Sequence, residues 1–132
     1  MMNVFGIGID VVEVGRIASS VEEFGERFIN RIFTAREREY CAAKSKPELH
    51  YAARFAAKEA VAKALGTGIG KEIGWLDMEV ERGASGEPIM RLSGKALMFC
   101  QAHDIHEIKI SLTHAREYAA ANAVALCGAQ RI

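Results

Sequence analysis

Cysteine is scarce in this chain of 132 residues, and the three present, Cys41, Cys100 and Cys127, are far apart and in no Cys-x-x-Cys spacing. Neither a disulfide framework nor a thiolate zinc site is suggested, so they read as reduced, mostly buried thiols. Net charge is lacking as well, since 17 basic residues balance 17 acidic ones. That removes any whole-molecule attraction to nucleic acid or to an anionic membrane, and neither is expected as a partner. No apolar run reaches the roughly 18 residues of a membrane span. Asp10 and Glu13 fall where a signal peptide would keep its uncharged stretch, so the chain is expected to stay in the cytoplasm. There is no Gly-Lys-Ser/Thr P-loop. The histidines form no ligand set, because His103 and His106 are separated by the expected end of a helix and His50 has no partner at ligand spacing. Repeats, low-complexity tracts and long linkers are also missing, so residues 1–132 are expected to form a single domain.

What is there is a half-hydrophobic composition, enough for one modest core. The β-branched run from Val4 to Val14 reads as a strand, with Gly6 and Gly8 on one face where a neighbouring backbone could come close. Ile17, Val21, Phe24 and Phe28 recur at helical spacing and predict one amphipathic helix from Ile17 to Arg31. Thr34 with Glu37 three residues on is a capping box opening a short helix that stops near Ser45 to Pro47. A long alanine-rich helix follows from Glu48 to Leu65, with Gly66 placed as its left-handed terminator. Ile73 to Gly83 and Ile89 to Ser93 read as hairpin strands, Gly94 to His103 as a helix, and the segments EIKISLTH and AAANAVALCG as two more strands. The layout is a mixed sheet with helices gathered mainly in the first half.

Four features could carry chemistry. Asp10 interrupts an apolar strand, and a buried unpaired carboxylate is costly, so it either caps a turn or pairs with an arginine such as Arg16 at the strand's end, or meets a metal or cationic ligand. Glu59 and Lys63 are four apart on one helix face, which fits an exposed ion pair but also, beside an aspartate and a glycine loop, the parts of a Mg²⁺-phosphate site. The loop Gly66-Thr67-Gly68-Ile69-Gly70 lets backbone N–H groups approach a phosphate, or is simply a helix end and turn. Ser111, Thr113 and His114 cluster where a strand gives way to a loop.

The stretches GIGIDVVEVGRI (Gly6 to Ile17), RIFTAREREYC (Arg31 to Cys41), RFAAKEAVAKALGTGIG (Arg54 to Gly70), GEP (Gly86 to Pro88) and ISLTHAREYAAANAV (Ile110 to Val124), in this order, resemble the holo-acyl-carrier-protein synthases. These are the small, single-module branch of the 4′-phosphopantetheinyl transferase superfamily. The resemblance implies an α+β fold, with a mixed, mainly antiparallel sheet, helices packed on it, and three chains with clefts between neighbours. It also implies transfer of 4′-phosphopantetheine from coenzyme A to a serine of apo acyl carrier protein, serving fatty acid biosynthesis. Asp10 and Glu59 would hold Mg²⁺, and Lys63 would approach the pyrophosphate. Arg54, Gly66, Gly68, Ser111, Thr113 and His114 would lie around coenzyme A. The serine must lose a proton, and Glu59, directly or through a water held by the metal, is the candidate base.

The family's first helix usually offers a basic ridge to its acidic partner. Here Arg16, Arg27 and Arg31 are present, but Glu22, Glu23 and Glu26 lie among them. From Arg16 to Lys46 seven basic residues face five acidic ones, a thin surplus that bears on docking more than on chemistry. Two other activities use similar parts: a catalytically silent coenzyme A-binding module, and a Mg²⁺-dependent nucleotide pyrophosphate hydrolase with water in place of the serine.

Overall fold

The computed structural model describes residues 2–128. Strand β1 (Met2–Glu13) runs straight into helix α1 (Val14–Phe24), and α2 (Glu26–Ile32) follows. The single helix expected from Ile17 to Arg31 is therefore two. Gly25 takes φ 57°, its N–H closes on Val21 O at 2.8 Å, and the helical run ends there before restarting.

Helix α3 (Ala35–Ala42) opens on the expected capping box: Glu37 N–H donates to Thr34 Oγ1 at 3.3 Å and Thr34 N–H to Glu37 Oε1 at 2.9 Å. Helix α4 (Pro47–Leu65) starts with proline in its first turn and ends at Gly66, φ 77°. A single 3₁₀ turn (Trp75–Asp77) precedes β2 (Met78–Arg82), so the strand expected from Ile73 begins later. The Asp77 carboxylate accepts the Gly74 N–H at 3.0 Å and holds that turn closed. Then come β3 (Pro88–Leu92), α5 (Gly94–Ala102), β4 (Ile105–His114) and β5 (Tyr118–Gly128).

The strands form two sheets, ordered β1-β5-β4 and β2-β3, and every pairing among the described residues is antiparallel. The mixed sheet is corrected on this point. β2-β3 and β4-β5 are hairpins joined by short turns, whereas a parallel pair needs a long crossover connection; β1, with the rest of the chain between, also lies antiparallel beside β5.

Helix α4 lies on one face of the three-stranded sheet. A Cβ on Gly6 would sit 1.9 Å from Ala64 O, and one on Gly8 1.9 Å from Ala60 O, so glycine alone admits the helix backbone this close. Ala121, Ala123 and Ala125 of β5 complete the contact, all buried. A second core, around Phe33, Cys41, Tyr51 and Ala52, packs α1 to α3 against the first half of α4. Cys41 and Cys100 are buried and Cys127 half-buried, as the composition suggested. The sheet's other face is uncovered, with Ile7 70%, Ile9 65% and Val11 60% exposed. No helix among the described residues is long and apolar enough to cross a membrane.

Candidate active site

Strand alternation puts Asp10 on the same face of β1 as Gly6 and Gly8, facing α4. Lys63 Nζ reaches it from the helix, 3.0 Å from Asp10 Oδ1 and 2.9 Å from Ile9 O. Asp10 thus pairs with a lysine from α4; the arginine pairing at the strand's end is not what forms. Lys63 reaches across to β1 rather than back along its own helix to Glu59. Burial pushes the Glu59 carboxyl above its usual range, the negative charge of Asp10 pushes it further, and Lys63 opposes both. Two neighbouring carboxylates, the charge of Asp10 opposing that of Glu59, could hold Mg²⁺. That ion takes one or two protein carboxylates and completes its shell with water and phosphate.

The glycine loop contributes less backbone than its composition suggests. The Gly66 N–H is spent on Ala62 O and Lys63 O, and the Thr67 N–H closes on Ala62 O at 3.1 Å, so both finish the helix. Gly68 stands beyond them, exposed, at φ 65°.

Arg54 belongs to a second cluster. Nine residues before Lys63, it lies about 13 Å down the helix axis and about half a turn round it. Its guanidinium is buried over the Tyr40 ring, 4.2 Å from the ring centre, and its Nε–H has no hydrogen-bond partner. With His50, Arg82, Thr113 and His114 it lines a cavity of about 280 Å³. Burial alone would raise the Tyr40 hydroxyl, yet Arg82, Lys44 and Arg54 together hold it below its usual value. Burial, then His114 and Arg54, hold His50 below the ordinary histidine range. A buried cation with a spare donor, among further cations, is built for an anion.

His50 is thus half-buried in this cluster, and its i,i+4 spacing from Arg54 on α4 was the available signal. Tyr40 and Arg82 had no such signal. Ser111, Thr113 and His114 do not act as one group. Ser111 faces the outer side of the sheet and donates to Asn122 Oδ1, while His114 packs edge-on to His50 with ring centres 5.1 Å apart.

A third feature is a groove of about 510 Å³ lined by Phe24, Arg27, Phe28, Arg31, Ile32 and Trp75. Arg27 and Arg31 are brought together there, and Arg16 stands exposed on α1 outside it. Beneath it lies Lys58, fully buried, its ammonium 2.6 Å from Glu37 Oε1. This pair went unseen in the sequence, where Glu37 reads only as a cap.

Residues 6–123 match the model of the 4′-phosphopantetheinyl transferase superfamily. The holo-[acyl-carrier-protein] synthase of Chlamydia trachomatis serovar L2 is 47% identical, covering 92% of this chain and 98% of the relative. Among solved structures, the holo-[acyl-carrier-protein] synthase of Neisseria meningitidis superposes with a TM-score of 0.87 at 32% identity, covering 93% of this chain and 98% of that one. That of Helicobacter pylori, solved in complex with coenzyme A, gives 0.81 at 33%, covering 90% and 98%.

Proposed function

The chain belongs to the 4′-phosphopantetheinyl transferase superfamily, and we propose from that premise how its residues share the work. It transfers 4′-phosphopantetheine from coenzyme A to a serine of apo acyl carrier protein, releasing adenosine 3′,5′-bisphosphate. The observation that carries the assignment of roles is the meeting of Asp10 with Lys63, beside Glu59, where β1 crosses α4.

Asp10 and Glu59 hold Mg²⁺ in this reading. When bound, the ion neutralises charge on the pyrophosphate of coenzyme A. Lys63, half-exposed, turns its ammonium to the same phosphates and stabilises the charge that gathers on the departing oxygen. Glu59 accepts the serine proton. The serine oxygen bonds to the phosphorus that carries pantetheine, the bridging P–O bond breaks, and adenosine 3′,5′-bisphosphate keeps that bridging oxygen. Phosphoryl transfer of this kind asks the protein mainly for in-line positioning and charge neutralisation.

Arg54 and His114 take phosphate of the same coenzyme A, with Thr113 at the rim, but from a neighbouring chain. Two observations support this: Arg54 and Lys63 point away from each other on α4, and the outer face of the sheet leaves Ile7, Ile9 and Val11 uncovered. Three chains meeting through that face form a ring in which each cleft draws on two of them. Ser111, on the outer face, lies along that boundary, and Gly68 edges the cleft. The acidic carrier docks on the groove flanked by Arg27 and Arg31, steered by Arg16. Residues 1–132 work as one domain, in the cytoplasm, in support of fatty acid biosynthesis.

The test is the mass of apo acyl carrier protein after incubation with this protein, coenzyme A and Mg²⁺, beside a chelated control and Asp10→Ala. A gain of one phosphopantetheine, lost in both controls, is expected. No gain despite coenzyme A binding would mark a silent binding module, and phosphopantetheine released without any carrier would mark a hydrolase.

A further inference from the structure

Lys58 is a lysine with no exposed surface, one residue before Glu59. Its Nζ lies 2.6 Å from Ile32 O, 2.6 Å from Glu37 Oε1 and 3.2 Å from Trp75 O, so its three protons meet three acceptors. Those acceptors come from the end of α2, the first turn of α3 and the 3₁₀ turn. Glu37 in turn accepts the N–H of Thr34 at 2.9 Å and of Val80 at 2.8 Å. The Phe33 ring lies against the ammonium, 5.4 Å from it to the ring centre. Two of the three elements so clasped line the groove between Arg27 and Trp75: Ile32 and Trp75 are part of its wall.

We infer that Lys58 is a positioning residue for the carrier, fixing the docking groove to the helix that bears Glu59. The inference rests on the reading of that groove as the docking surface. Consecutive residues on a helix point about 100° apart. Lys58 therefore faces the groove's underside while Glu59 faces β1, and a single rigid turn of α4 sets the offset between where the carrier sits and where its serine must react. The clasp also takes a carbonyl at the end of α2, the helix that carries Arg27, Phe28 and Arg31, where a cation is favoured. In-line transfer tolerates little misplacement: about 1 Å can cost about a hundredfold in rate.

A buried charge left without its partner is strongly destabilising, whereas replacing both partners by neutral groups is often tolerated. Lys58→Met is therefore made alone and together with Glu37→Gln, whose one amide oxygen still accepts one of the two N–H groups, that of Thr34 at Oε1 or that of Val80 at Oε2. The variants are compared in steady-state transfer with coenzyme A and carrier varied in turn, and in direct binding of coenzyme A. The expected result is a folded double variant whose kcat/KM for carrier falls about tenfold or more while coenzyme A affinity stays within about twofold. Adding Arg31→Ala to it should cost less than in the native chain, since the two act through one groove.

Equal losses toward coenzyme A and carrier would overturn the inference, as would strict additivity with Arg31→Ala. Failure of both variants to fold would also overturn it, by reducing the clasp to a structural pair. An unaltered carrier KM in Arg27→Ala/Arg31→Ala would instead overturn the docking surface itself.

Discussion

Lys63 on α4 binds β1 twice, through Asp10 Oδ1 at 3.0 Å and Ile9 O at 2.9 Å. The lysine proposed to meet the phosphates is thus already drawn to the carboxylate proposed to hold the metal, and one ammonium links helix and strand where β1 crosses α4.

Replacing Lys63 by methionine separates its two possible roles. The pair is half-exposed, so its loss should cost no more than about 1 kcal/mol of stability. Removing a donor aimed at developing charge should cost about a hundredfold in kcat. Thermal melts and initial rates decide: a large fall in melting temperature with a native rate would make Lys63 a strut and not a phosphate ligand.

Gly8→Ala should do the opposite, harming the scaffold first. Its Cβ would lie 1.9 Å from Ala60 O, a helix backbone atom that cannot step aside alone. Overpacking of this kind costs about 1–3 kcal/mol, here with α4 pushed off β1 and Glu59 carried away from Asp10. Urea unfolding and transfer assays should fall together. A native denaturation midpoint would show the contact to be looser than described.

This contact was the most legible part of the fold. Two glycines alternating on a strand face and a run of alanines on a helix announce close approach by what they lack, and Thr34 and Gly66 announced their helix ends by local chemistry alone. What sequence could not give were relations set by tertiary context. Gly25 could be tolerated in a helix, so only the packing of α1 and α2 reveals a break there. Glu37 satisfied its cap and so hid its second partner, Lys58, 21 residues away. Ser111 and His114 looked like neighbours at a strand end, although alternation places them on opposite faces. In the candidate site, Glu59 and Lys63 announced themselves by spacing; in the Arg54 cluster only His50 and Arg54 share a helix at such spacing, and Tyr40, Arg82 and His114 come to them from three other elements.

The thiols offer a test of the second core. Burial pushes Cys41 up to about 11 from its ordinary 9.0 and raises Cys100 too. Both should resist alkylation at neutral pH until the chain unfolds, with Cys127 the first to react. A linkage follows. The unfolded chain's Cys41 ionises near pH 9 while the folded one holds its proton to about 11, so this contribution to stability is full below pH 9 and is lost as pH rises to about 11. Cys41→Ala should flatten the alkaline fall in urea midpoint; an unchanged fall would assign it to other groups.

Assembly can be read through Ile9, whose side chain lies on the uncovered face opposite Asn122. Ile9→Asp should leave the α4 contact intact, since alternation points it away from the helix, yet break the association of chains and with it the activity; light scattering gives the mass directly. Mixing gives a sharper answer. Asp10→Ala and Arg54→Ala should each be nearly inactive alone, one lacking the carboxylate proposed to hold the metal and the other the buried guanidinium. If every cleft takes Asp10 from one chain and Arg54 from the next, random reassembly of the two variants restores about a quarter of the sites, because each needed residue is intact with a chance of about one half. If both residues served the same cleft within one chain, every chain in the mixture would still lack one of them, and no activity would return.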